Sequence, residues 1–382
     1  MLTRGGSIDP RAFPEEGFDL YSIPAYDTRV PERVLGADIG STKQVVEPGD
    51  VLLSKIVPHI RRAWTVAPSA GRRLIASGEW IVFRGSVFEP AYLRHFLLSD
   101  FFHDQFMQTV AGVGGSLMRA RPAFVGLLGV PLPPLDEQRR IAAILDQADA
   151  LRAKRRDAIA HLDTLTQSIF LNMFGEDSTV AALGRRAKLI DLCRAPDDIR
   201  CGPFGTQLKK DAFRDNGIAL WGIKNVNARF ELPPWEFLDS ATARRLSQYS
   251  LAPGDIVMTR KGTVGNCAVY PSEFPDGIMH SDLLRLRVDQ SQVLSEFLSH
   301  QLHHSPDVAR QISLVSSGAI MPGVNVTKLK QLVVSVPPLS LQERFVEHVA
   351  GASALRRTQF AHLDQLDRLF ASLQDRAFKG EP

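Results

Sequence analysis

The chain has 382 residues, with 45 Lys and Arg against 42 Asp and Glu, a formal net charge of +3, 44% hydrophobic and 23% charged residues. This suits two or three globular domains. No apolar run approaches the roughly 18 to 20 residues that would span a bilayer, and the N-terminus lacks a basic-then-apolar signal, so a cytoplasmic protein without membrane contact is expected. The balanced charge does not announce nucleic acid, because a DNA reader needs a basic face rather than a basic total. Cys193, Cys201 and Cys267 are odd in number and lack a Cys-x-x-Cys pair, which points to reduced thiols and no zinc site.

Residues 1–132 form a first globular unit. The turn Pro48-Gly49-Asp50 feeds the β-type run Val51-Leu52-Leu53-Ser54, and Trp80 to Phe83 is a second strand. From Pro90 to about Val110, the spacing of Tyr92, Leu93, Phe96, Leu97, Phe101 and Phe106 predicts one helix. Gly112, Gly114 and Gly115 make a loop before the proline-rich stretch Pro131-Leu132-Pro133-Pro134.

Residues 133–176 are free of proline and glycine from Leu135 to Phe174 and predict a long amphipathic helix, on the order of 58 Å. Asp136 is the expected N-cap, and Gly175 suits a left-handed stop. Ile144, Ala148, Leu151, Ala158, Leu162, Leu165 and Ile169 form its stripe, widened by Ile141, Leu145, Ile159 and Met173.

Residues 177–338 repeat the first unit with more material at the front. Leu251-Ala252-Pro253-Gly254-Asp255-Ile256-Val257-Met258-Thr259-Arg260 matches Val46 to Lys55, a helix is expected from about Leu294 to Arg310, and the loop Ser316-Ser317-Gly318 answers the first unit's glycines. Residues 339–382 repeat the long helix about 204 positions later. Pro337-Pro338-Leu339-Ser340-Leu341-Gln342 answers Pro133 to Gln138, and Ser340 with Glu343 has the form of a capping box. Phe345, Val349, Ala352, Leu363, Leu366, Phe370 and Leu373 make the second stripe. Two such helices would bury each other as an antiparallel pair.

Catalytic signatures are weak. Leu232-Pro233-Pro234-Trp235 has the shape of an adenine methyltransferase tetrapeptide but lacks the amide or carboxylate that would hold the target amine. No Gly-x-x-x-x-Gly-Lys-Ser/Thr loop is present. His300, His303 and His304 have helical metal-ligand spacing, although a solvated helix face explains them better. Ser41-Thr42-Lys43 and Ser54-Lys55 suit phosphate contact better than nucleophilic catalysis. What remains is a set of basic and amide residues on loops. These are Lys43, Lys55, His59, Arg61 and Arg62 in the first unit, and Lys209, Lys210, Lys224, Asn225, Asn227, Arg229, Arg260 and Lys261 in the second. Lys and Arg neutralise phosphates, and Arg and Asn pair with base edges.

The paired Pro-Pro-Leu-x-x-Gln motifs, the Gly202-Pro203-Phe204-Gly205-Thr206-Gln207-Leu208-Lys209 segment and the Pro-Gly-Asp turns resemble the specificity subunit of Type I restriction-modification systems. The resemblance covers nearly the whole chain. It implies a mixed α/β (α+β) fold in which two target recognition domains alternate with two long helices paired as an antiparallel coiled coil. It implies no catalytic activity and no cofactor in this chain, with S-adenosylmethionine, ATP and magnesium on partner subunits. The partners implied are double-stranded DNA with a bipartite site, two methyltransferase subunits, and restriction subunits. The helix residues Ile144, Leu151, Leu162, Leu165, Ile169, Phe345, Val349, Leu363, Leu366 and Phe370 would serve pairing and docking. One departure is that the first unit shows no counterpart of the Gly202–Lys209 opening. The alternatives are a protein-interaction scaffold, a specificity subunit of another phage-defence system, and an enzyme with its own methyl transfer.

Overall fold

The computed structural model describes residues 2–3, 6–69, 71–112, 118–175, 184–204, 207–260, 265–274, 277–316 and 326–379. Gly114, Gly115, Gly205, Thr206, Lys261, Ser317 and Gly318 lie outside them. The chain divides into two compact units, residues 1–154 with 363–382 and residues 155–362.

In the first unit, β1 (Leu2–Thr3), β2 (Ser7–Ile8), β3 (Gly17–Tyr21), β4 (Glu32–Leu35), β5 (Lys43–Val45), β6 (Val51–Ser54), β7 (Ala63–Thr65), β8 (Arg73–Ala76) and β9 (Trp80–Phe83) build two sheets. Their orders are β1-β9-β6-β7 and β2-β5-β8-β3-β4, with β3 and β8 parallel. Strand β6 is an unbroken apolar run because both of its faces are covered. Leu52 meets Tyr21, Trp64 and Trp80, while Val51 and Leu53 meet the helical layer. That layer is α1 (Pro90–Leu98) and α2 (Asp100–Gln108) rather than one helix. Ser99 leaves helical geometry and its hydroxyl caps α2 by accepting from the Phe102 amide at 3.2 Å. The hairpin β10 (Val110–Ala111) and β11 (Arg119–Ala120) and the turn α3 (Pro122–Val125) lead to the long helix α4 (Leu135–Phe174).

The second unit repeats this plan. It contains β12 (Arg185–Lys188), β13 (Ile199–Cys201), β14 (Phe213–Arg214), β15 (Ile218–Trp221), α5 (Ile223–Asn227), β16 (Glu236–Leu238), α6 (Ser240–Arg245), β17 (Ser250–Leu251), β18 (Ile256–Thr259), β19 (Cys267–Val269), β20 (Gly277–Met279) and β21 (Leu283–Leu286). After these come α7 (Ser295–His304), α8 (Pro306–Ser316), α9 (Val326–Leu329), β22 (Val333–Val336) and α10 (Leu339–Lys379). Order β13-β21-β18-β19 reproduces β1-β9-β6-β7, and β17-β20-β15-β16 reproduces β5-β8-β3-β4. Strand β1 therefore takes the place of β13, a counterpart that sequence comparison does not reveal. The helix expected at Leu294–Arg310 breaks at Pro306, whose ring cannot continue a helical ladder.

The Pro-Gly-Asp turns are structural. Gly49 and Gly254 have φ of +88° and +86°. Asp50, 1% exposed, accepts from Arg84 Nε and Nη2 at 2.7 Å each, and Asp255, 2% exposed, accepts from Arg287 with the same two distances. Each aspartate also accepts the amide three residues earlier, Glu47 or Ala252, at 2.8 Å.

The Pro-Pro-Leu-x-x-Gln glutamines are latches. Gln138 accepts the Glu89 amide at 2.8 Å and donates to Pro133 O at 2.8 Å. Gln342 accepts the Leu294 amide at 2.8 Å and donates to Pro337 O at 2.7 Å. Both side chains satisfy the residue that opens the following layer's helix, α1 or α7. Helices α4 and α10 each start one residue earlier than their expected caps, with the Pro134 and Pro338 carbonyls accepting from Gln138 and Gln342, so Asp136 and Ser340 lie in the first turn. Gly175 is not in the left-handed region.

Within each unit, halves of α4 and α10 pair along a seam that repeats every 3.5 residues. On α10 the expected Phe345, Val349, Leu363 and Phe370 are buried and Leu366 is half-buried. On α4 the seam follows the expected Ala148, Leu145 and Ile159 and leaves the Ile144, Leu151 and Leu165 row outside. Ile144, Leu151 and Leu165 are 40%, 43% and 48% exposed, Leu162 and Ile169 are half-buried, and the seam holds Ala142, Leu145, Arg152, Arg155, Ile159, Thr166 and Phe170. The polar members sit in the seam because they are paired. Arg152 donates to Asp367 at 2.5 Å in the first unit, and in the second Arg356 donates to Asp163 at 3.0 Å and Arg155 to Gln359 at 2.6 Å. Positions 152 and 356, 155 and 359, and 163 and 367 are each related by 204 residues, so the contact is self-complementary, as duplicated helices require.

Candidate nucleic-acid interface

Strand register gathers the basic loops at one edge of each unit. In the second unit Thr259 lies opposite Leu283, Met258 opposite Cys267, Cys201 opposite Leu284, and Trp221 runs beside Met279. The segments beyond these residues therefore meet. Four hydrogen bonds join them: Gly202 N to Leu283 O at 2.9 Å, Arg260 N to Asp282 O at 2.8 Å, His280 N to Trp221 O at 2.9 Å, and Asn266 Nδ2 to Asn227 Oδ1 at 2.8 Å. The same edge in the first unit holds Lys43 and Lys55. Gln44 donates to Ser77 O and Trp80 O at 3.0 and 2.9 Å, and the Lys55 amide bonds Glu79 O at 3.0 Å. Val57, on this loop, has φ of +48°, a strained conformation for a β-branched residue.

The predicted contacts separate into three groups. At the edge are Lys43, Lys55 and the exposed His59 in the first unit, and Lys224, Asn227 and Arg260 in the second. Lys43 donates to Ser41 at 2.6 Å, and partial burial lowers its pKa. Lys224 Nζ sits 5.5 Å from the Trp235 ring. A second group is drawn elsewhere. Arg61 pairs with Asp100 at 2.5 Å at the junction of α1 and α2, and Arg62 is half-buried with its Nε unbonded among the described residues. Lys209 and Lys210 are exposed, but they precede β14, whose Phe213 lies opposite Leu238, at the end of β16 remote from Trp235.

The third group is structural and corrects the sequence expectation. Asn225 is 1% exposed; its side chain accepts from the Gly222 amide at 3.1 Å and donates to the Leu232 and Pro233 carbonyls, which fixes the Leu232–Trp235 turn. Arg229 turns to helix α4 and pairs with Asp163 at 3.0 Å, beside Glu231, which accepts from Arg356 at 2.6 Å. The Asn225 side chain is buried, and the Arg229 guanidinium is engaged by Asp163. Burial raises the Glu231 pKa, against the pull of Arg356. Sequence reasoning missed Phe204 and Trp235, aromatics 59% and 45% exposed at this edge. It also missed the Asp163, Glu231 and Arg356 network, since polar residues on a helix, as Asp163 and Arg356 are, or at the end of a turn, as Glu231 is, read as solvent-facing.

His303 is exposed, but His300 and His304 are not part of a solvated face. Burial pushes His300 down to about 3 and His304 to about 4, so both are neutral, and His300 packs on Phe345 with ring centroids 5.2 Å apart. No group of His, Cys, Asp or Glu among the described residues has metal-site geometry. Burial raises the Cys193 and Cys267 thiols to about 12 and about 11.

Residues 205–350 match the family model described as Type I restriction modification DNA specificity domain. The chain is 23% identical over 347 residues to the Type I restriction enzyme StySPI specificity subunit of Salmonella potsdam, covering 83% of this chain and 72% of that one. It is 22% identical to the EcoKI specificity subunit of Escherichia coli K12, covering 76% and 65%. The solved Type-I restriction-modification system S subunit from M. genitalium shares the fold, with a TM-score of 0.55, 13% identity and 99% and 93% coverage. The chain is similar to Type I specificity subunits, and the family model covers residues 205–350 of it. Its mixed α and β structure with paired long helices is the fold of that S subunit, and no helix among the described residues is long and apolar enough to cross a membrane.

Proposed function

We propose that the chain reads a bipartite DNA target, each unit contributing one half-site through its loop edge, while α4 and α10 set the gap and dock two methyltransferase subunits, with restriction subunits joining the same complex. The observation that carries this reading is the duplication itself: two units with the same strand order, the same Asp–Arg clamp and the same Gln latch, each ending in a loop edge with basic residues. The loops differ while the mounts agree, as expected where two units hold different sequences by one geometry. The exposed row Ile144, Leu151 and Leu165 is surplus to helix pairing and suits a subunit interface. A groove of about 640 Å³ lined by Tyr92, Leu132, Ile141, Ile144 and Leu373 continues it in the first unit. S-adenosylmethionine, ATP and magnesium belong to the partner subunits in this scheme. Methylome sequencing of a cytoplasmic host expressing the chain with its methyltransferase subunit tests it. A two-part motif with a fixed gap is expected, and a short continuous motif would refute it.

A further inference from the structure

We propose that Phe204 is a positioning residue for base reading by Arg260, its exposed ring holding the guanidinium so that two of its donors meet O6 and N7 of one guanine in the major groove. The inference rests on the DNA-specificity reading above and deepens it by naming the pair and the base.

Phe204 is 59% exposed, yet its backbone is held tightly. The Gly202 amide bonds Leu283 O at 2.9 Å, and a Cβ at Gly202 would lie 2.1 Å from His280 O, so only glycine lets the chain pass this close to the neighbouring segment. Gly202 and Pro203 are buried, the Gln207 amide bonds Phe204 O at 2.8 Å, Gln207 Oε1 accepts from Tyr249 at 2.8 Å, and Leu208 is 8% exposed. This mount keeps the ring from folding back into the core. An apolar ring so presented gains from a neighbour, and Arg260 supplies one that is a cation.

Arg260 is mounted in the same way. It follows Thr259, which is 0% exposed, and its amide bonds Asp282 O at 2.8 Å. Its guanidinium carbon lies 5.8 Å from the Phe204 ring centroid, inside the roughly 6 Å range of cation–π attraction. The second unit's Arg200, Arg214, Arg229 and Arg287 are paired with Asp197, Asp239, Asp163 and Asp255. Arg260 has no ion pair among the described residues. A planar five-donor fork steadied on one side by a ring matches the two major-groove acceptors of guanine in a fixed geometry that a flexible ammonium lacks. Lys224 beside Trp235 is by contrast a point charge and suits a phosphate.

The test uses the full chain assembled with its methyltransferase subunits, with binding and methylation profiled on a library randomised across both half-sites. Arg260→Ala and Phe204→Leu should relax the same single guanine position, each by roughly 5- to 150-fold, and leave the other half-site unchanged. Arg260→Lys should weaken the guanine preference but keep the salt dependence. On the unmutated complex, 7-deazaguanine at that position should weaken binding by a similar factor, and it should do nothing further to Arg260→Ala. A wild-type profile for Phe204→Leu would overturn the positioning role. Equal losses on all sequences for Arg260→Ala, or indifference of the unmutated complex to 7-deazaguanine at every guanine of the motif, would overturn base reading. Absence of any two-part motif for the unmutated complex would sink the parent reading instead, so the two failures are distinguishable.

Discussion

Arg356→Ala tests the energetics of the helix seam most directly. Arg356 is 7% exposed at its side chain and holds two carboxylates, Asp163 at 3.0 Å and Glu231 at 2.6 Å, and Glu231 is itself only 8% exposed. Its duplicate Arg152 is 18% exposed, and its partners Asp367 and Asp149 are 42% and 43% exposed. Truncating Arg356 leaves Glu231 desolvated without its main donor, and should cost about 3 kcal/mol or more. Truncating Arg152 leaves solvated carboxylates and should cost about 1 kcal/mol. The pH dependence is distinctive. The folded pKa of Glu231 is raised by burial, so any stability linked to its proton is present below the ordinary carboxylate value and lost as pH rises through the folded pKa. Removing Arg356 should raise that pKa further, so the variant's deficit relative to wild type should shrink between pH 7.5 and pH 5.5. Native-state hydrogen exchange, which reports the two units separately, is the assay. A deficit in the second unit no larger than that of Arg152→Ala in the first, or one unchanged at pH 5.5, would refute the reasoning.

Leu165→Asp, on the exposed row of α4, should change unfolding by less than about 0.5 kcal/mol yet abolish co-elution with the methyltransferase subunit; a normal complex would remove that row as a docking surface. Asp255→Ala should destabilise the second unit by about 3 kcal/mol, measured by urea unfolding, because it removes a buried carboxylate that accepts from Arg287 and from the turn amide. Wild type should lose stability as pH falls from about 6.5 toward 4, since His300 and His304 have folded pKa values near 3 and 4 and must stay neutral; His304→Gln should flatten that slope in a pH series of thermal melts. Four residues inserted after both Ala153 and Arg357 should lengthen the methylation gap by roughly two base pairs, at about 1.5 Å per residue and 3.4 Å per base pair, and an unchanged gap in an active variant would remove the ruler role.

Local chemistry was enough to determine much of this protein. Proline-bounded runs with apolar residues at helical spacing mark the two long helices, the Pro-Gly-Asp turns mark β6 and β18, and the offset of 204 residues exposes the duplication, because turn geometry and helix length depend on a few neighbouring residues. Tertiary structure alone decided the phase of the α4 seam. The apolar count favours Ile144, Leu151 and Leu165, but Arg152, Arg155 and Thr166 take the inner positions because their polar groups find partners there, most of them on α10. It also decided which of these polar residues the fold itself engages. Asn225 and Arg229 are indistinguishable in sequence from Asn227 and Arg260, and only the fold supplies the carbonyls and the Asp163 carboxylate that occupy the first pair. Burial and partner choice depend on residues far apart in the chain, so short-range pattern carries no record of them.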